Sequence, residues 1–165
     1  MNTGRIILCM ARRDGTTLSL LFDLFVASQR VRSLLATAMA DSGLTPDEYA
    51  VYSALFDLGP MSPTELGRAV GMPPTTVSHY VRALRERGHA GEHPNPADNR
   101  SYLLRLSASG RVAHRRASAA FEEAFRRFAA RLDDAESASR AVDAIQRAAE
   151  EALTQLLHDA RSRAG

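Results

Sequence analysis

At 165 residues and 45% hydrophobic content, the chain has the material for one cored domain with helical extensions. A net charge of +2 does not by itself announce a nucleic-acid partner, and a single cysteine, Cys9, excludes an internal disulfide or a cysteine-only metal cluster and fits a reducing cytoplasm. No apolar run reaches the ~18 residues of a membrane span, and Ile6–Ala11, followed by Arg12-Arg13, is not a secretory signal.

Residues 1–16 lack periodicity and are expected to form a flexible arm, with Cys9 as an idle thiol. Leu18 to Ala40 carries Leu18, Leu21, Phe22, Phe25, Leu34, Leu35, Ala38 and Met39 at helical spacing. Leu20, Leu24 and Val26 extend its apolar surface nearly all round. Such a helix must be covered on more than one side, and a second subunit is the natural cover, so residues 17–43 are assigned as a dimerisation helix.

Thr45-Pro46-Asp47-Glu48 has the pattern of a capping box and opens a helix bearing Tyr49, Val51, Tyr52, Leu55 and Phe56. The two tyrosines are expected in the core, with Tyr52 lining a pocket as the alternative. Ser62-Pro63-Thr64-Glu65 repeats the box, and Gly71 stops that short helix. A further helix starts near Pro73-Pro74 and runs to Arg87, with Val77, Val81 and Leu84 directed inward. Its other face offers Thr75, Thr76, Ser78, His79, Arg82 and Arg85. Hydroxyls near a helix start and arginines further along are what phosphates and base edges in a major groove require.

Beyond Gly88, Tyr102, Leu104 and Leu106 alternate with Leu103 and Arg105 as a strand does. The preceding Pro94–Arg100 is rich in turn residues, so Asn99 and Arg100 are placed at a hairpin tip able to reach a minor groove. Between Pro60 and Arg111 there are seven arginines and four acids. Helix, turn, helix and ribbon make a winged helix over residues 44–110.

Two more helices follow, Ser107 to about Leu132 and, after a break marked by Asp133-Asp134 and Ser137, Ala138 to Ala160, assigned over residues 111–162 to dimerisation. Phe121, Phe125, Phe128 and Leu132 stripe the first. Val142, Ile145, Leu153, Leu156 and Leu157 stripe the second. Arg111, Arg115 and Arg116 lie near enough to the wing to touch phosphate. The fold class is therefore mostly α with a small β-hairpin wing, flanked by dimerisation helices at both ends.

The segment from Gly88 to Arg100, then Leu104, Leu106-Ser107 and Gly110, resembles the wing signature of the MarR family of bacterial transcriptional regulators. Asp98 and Arg100 match its Asp-x-Arg pair, and Ser107 stands for the usual capping threonine. His89 and Ala90 replace large aliphatics, which implies a thinner first strand, and Glu92-His93 replace positions where arginine is common. The position of a peroxide-sensing cysteine in some members falls on Leu21. The resemblance implies a homodimeric repressor of double-stranded DNA, released by a small, often aromatic effector. Two recognition helices about 34 Å apart would meet a pseudo-palindromic operator.

No phosphate loop, nucleophile elbow or zinc-protease motif is present, so no catalytic residue, metal or cofactor is assigned. His79, His89, His93, His114 and His158 are scattered. The alternatives are a winged-helix protein-interaction module and a redox or metal sensor acting through Cys9 or the histidines.

Overall fold

The computed structural model describes residues 18–164. The arm assigned to residues 1–16, with Cys9, lies outside them. Two compact units divide the chain, residues 1–124 and 125–165.

In the first unit, α1 (Leu18–Ala38) ends two residues earlier than the periodicity implies. The chain turns through Met39, which is buried and accepts a hydrogen bond from Ser42 N–H. α2 (Pro46–Asp57) and α3 (Pro63–Val70) both start as their sequences dictate. Thr45 Oγ1 accepts from Glu48 N–H while Glu48 Oε2 accepts from Thr45 N–H, and Ser62 and Glu65 do the same. The Ser62 N–H and hydroxyl hold the Glu65 carboxyl below its ordinary pKa. Gly71 takes φ +65°, ending α3 in the left-handed conformation that sets the turn into α4 (Pro74–Glu86).

β1 (Ala90–Pro94) and β2 (Tyr102–Leu106) pair antiparallel, Ala90 opposite Leu106 and Glu92 opposite Leu104. Met61 adds a bridge: its N–H and carbonyl bond the carbonyl and N–H of Leu104 at 3.2 and 2.8 Å. Leu104 is thus held on both sides, and its side chain is fully buried with Val51, Tyr52, Leu66, Val77 and Leu84.

α5 (Ala108–Ala129) begins one residue after the expected Ser107, which acts as its cap. Ser107 Oγ accepts from Gly110 N–H at 3.1 Å and donates to Gly88 carbonyl at 2.8 Å. Gly110 is obligatory here, because a Cβ at that position would lie 2.1 Å from the His89 carbonyl oxygen.

The second unit holds the end of α5 and α6 (Ala135–Ala164). The helix expected over Ala138–Ala160 begins three residues earlier. Asp134 caps it, accepting from Ser137 N–H and hydroxyl at 2.9 and 2.7 Å, and these bonds hold the Asp134 carboxyl below its ordinary pKa. Ser137, expected to mark a break, instead anchors the first turn. Among the described residues, no helix is long and apolar enough to cross a membrane.

Candidate nucleic-acid interface

α4 carries the candidate surface. Val77, Val81 and Leu84 bury one side of it, which leaves Thr75, Ser78, His79 and Arg82 as an exposed row along the opposite side. Pro73 gives the helix no side-chain cap, and Pro74 has no N–H to satisfy. The amides of the exposed first turn therefore point outward without a side-chain acceptor.

The six helix residues singled out from sequence do not share one environment. Thr76 turns to the flank and is half-buried. The Ser78 hydroxyl donates back to Pro74 carbonyl at 2.9 Å, so it retains only acceptor capacity toward a partner. His79 meets the Tyr80 ring edge-on, with centroids 5.4 Å apart. Arg82 is held loosely, 3.5 Å from Glu86 one turn on, with both side chains largely exposed. Arg85 leaves the row and pairs with Glu92 of β1 at 2.8 Å.

The other flank of α4 is anchored to α2 by two adjacent carboxylates. Asp47 accepts from the Tyr80 hydroxyl at 3.2 Å and from Arg32 of α1 at 2.9 and 3.0 Å. Burial, and then the Asp47 charge, push the Tyr80 hydroxyl pKa up. Glu48, buried and already part of the capping box, pairs with Arg87 at 2.8 Å. Arg87 also acts on the Tyr52 hydroxyl, which lies 2.7 Å from His89 Nδ1. In the tautomer that carries its proton on Nε2, His89 accepts the phenolic proton at Nδ1. Burial raises the Tyr52 pKa, against the lowering effect of Arg87.

This chain fixes the end of α4 and the start of the wing, and it gives His89 a task. The residue is not a truncated aliphatic but the hydrogen-bond partner that a fully buried tyrosine needs. Tyr52 has no exposed surface, so core is the assignment that fits.

At the wing tip, Asn95 Oδ1 accepts from Ala97 N–H and Asp98 Oδ1 from Arg100 N–H, each at 3.0 Å. Asp98 is therefore the turn-former of the Asp-x-Arg pair, and Arg100 is the residue it presents, exposed beside exposed Asn99. Arg105, which sequence reasoning passed over, is exposed on the outer face of the hairpin; its alternation with buried Leu104 and Leu106 was the available signal. Arg111 is partly committed, donating to Leu106 carbonyl at 2.8 Å.

The histidines resolve unequally. His114 is buried against Tyr49 and Phe56, with ring centroids 5.2 and 4.4 Å away, and its Nε2 lies 3.0 Å from Ser53 Oγ. Burial lowers its pKa. No group of three or more metal-ligating side chains comes together among the described residues.

Comparison with known proteins gives this geometry a context. Residues 39–97 match the family described as the sugar-specific transcriptional regulator TrmB. The HTH-type transcriptional repressor NicR of Pseudomonas putida is 31% identical over 84 residues, 51% of this chain and 53% of that protein, so the match spans about half the length of that relative. A probable transcriptional regulator from Pseudomonas aeruginosa superposes with TM-score 0.64 at 33% identity, covering 74% of this chain and 92% of the other. PcaV of Streptomyces coelicolor, solved with its natural ligand, gives 0.65 at 28% identity, covering 84% and 94%. MarR of E. coli bound to operator DNA gives 0.67 at 16% identity over 78% and 92%, a likeness of fold. Together with the wing signature ending at Gly110, these likenesses identify the chain as a member of the MarR family of winged-helix transcriptional regulators.

Proposed function

We propose that the chain is a homodimeric, sequence-specific repressor acting on double-stranded DNA in the cytoplasm and released by a small-molecule effector. The observation that carries this reading is the exposed row Thr75, Ser78, His79 and Arg82, together with Arg100 offered separately at the wing tip. The helix row has the polarity a major-groove reader needs, and Arg100 is assigned as the cation that enters the neighbouring minor groove. Dimerisation is supported by apolar side chains left in water: Leu21, Phe22 and Phe25 on α1, Phe125 and Phe128 on α5, and Leu153, Leu156 and Leu157 on α6. The small-molecule response is supported by PcaV, whose structure holds its natural ligand. An effector must bind the two DNA-contact spacings unequally to release the operator.

The test is selection of bound duplexes from random DNA, followed by affinity measurements on variants. A pseudo-palindromic site is expected. Arg82→Ala should cost about 1–3 kcal/mol and relax the preference at one base position in each half-site. Arg100→Ala should weaken binding without changing the preferred helix contacts. Recovery of no preferred sequence, or unchanged DNA affinity in the double variant, overturns the reading and favours a protein-docking role for the same surface.

A further inference from the structure

Arg82 and Arg85 lie one turn apart on α4, yet their surroundings differ. Arg82 is 3.5 Å from Glu86 of its own helix, and both side chains are largely solvated. Arg85 is held at 2.8 Å by Glu92, a residue of a different element. The hairpin's alternation creates that contact. Glu92 is opposite Leu104 and two residues from Ala90, so its side chain shares the face of buried Ala90 and Leu104, the face turned toward the core and α4. Its neighbours in β1, Gly91 and His93, fall on the outer face with Arg105 and Leu103. A carboxylate at position 92 is therefore delivered to the side of the recognition helix, and one at 91 or 93 would not be.

We infer that Glu92 is a specificity-determining residue, which cancels the charge of Arg85 and so removes one sequence-independent phosphate contact per subunit. This rests on the DNA-binding reading above. Affinity for arbitrary duplex comes from counterions released as cations neutralise phosphates, while base discrimination comes from the groove contacts. Held at 2.8 Å by Glu92, Arg85 brings no net charge to a nearby phosphate, whereas Arg82, 3.5 Å from Glu86 with both side chains largely solvated, is not held in this way. The residues that read bases keep their role, and the background affinity for every other sequence falls. Operator discrimination rises accordingly.

The experiment uses the full chain and two duplexes of equal length, the selected operator and a scrambled sequence, titrated between about 50 and 200 mM salt. For Glu92→Gln, binding to the scrambled duplex should tighten several-fold at low salt. The slope of log affinity against log salt should steepen by about 0.9 per bound subunit. The operator should gain less, so the ratio of the two affinities falls. Adding Arg85→Gln to Glu92→Gln should return the scrambled-duplex slope to that of the parent. If the parent binds its operator but Glu92→Gln leaves slope and discrimination unchanged, the inference is wrong. If the double variant stays as steep as the single, Arg85 is not the cation released and the inference is equally wrong. A parent chain with no salt-dependent binding to any duplex overturns the DNA-binding reading itself.

Discussion

The winged module and α6 place their apolar residues in opposite ways. Among the described residues, every buried apolar side chain lies between Met39 and Ala124. There it is packed among α2 to α5 and the hairpin, with Leu66, Val77 and Leu104 wholly out of water. In α6 the large apolar residues Val142, Leu153, Leu156 and Leu157 are all more than half exposed. Since apolar area is what folding removes from water, the stretch around this core has closed on itself, whereas α6, like α1 with Leu21 and Phe25 in water, has not. The winged module accordingly owes its stability to itself, and α6 owes its stability to whatever covers it. By the function proposed above, the cover is a second copy of the chain.

The sharpest way to break this contrast is to damage each region and ask whether the loss depends on concentration. Leu104→Ala should cost about 2–5 kcal/mol in denaturant unfolding, because it empties a site closed on all sides. That loss should be the same at every protein concentration. Leu153→Glu with Leu156→Glu should leave the winged module folded yet yield a monomer in sedimentation. Operator affinity should then fall on the order of 100-fold, the worth of tethering two binding units together. A double variant that still sediments as a dimer would show that α6 is covered by something else.

The smallest effect probes the interior of the winged unit. His114 has its pKa lowered mainly by burial, so the unfolded chain takes up a proton more readily than the folded one. Stability should be flat above the ordinary imidazole value of about 6.5 and should decline as pH falls below it. His114→Phe keeps an aromatic ring between Tyr49 and Phe56 but cannot titrate, so its melting temperature should lose that part of the acid slope.

Local chemistry was legible in advance, and contacts between distant elements were not. Thr45–Glu48 and Ser62–Glu65 declare two helix starts within four residues each, and the structure builds both boxes as spelled. Val77, Val81 and Leu84 likewise announce the buried side of α4 by spacing alone. The Asp-x-Arg pair identified the wing tip, although only the coordinates divide its labour between turn-forming Asp98 and exposed Arg100. His89 could not be understood from its neighbours, since its partner Tyr52 is 37 residues away. Glu92 looked like a missing positive charge until strand register brought it to Arg85. The α6 start was misjudged because Asp134 and Ser137 suit a break as well as a cap, and only their mutual hydrogen bonds decide between the two.

The hairpin is clamped at one end only. Met61 grips Leu104 through two backbone bonds near its root, whereas the far end, from Asn95 to Ser101, is fastened by bonds within its own turn. Mechanically it is a cantilever. Residues can be inserted or deleted at its outer end without shifting the ladder at the root by a step, since Met61 keeps Leu104 in place whatever the length beyond it. The reach of the arm can therefore drift during evolution to suit a different groove, while the platform from which it projects stays fixed.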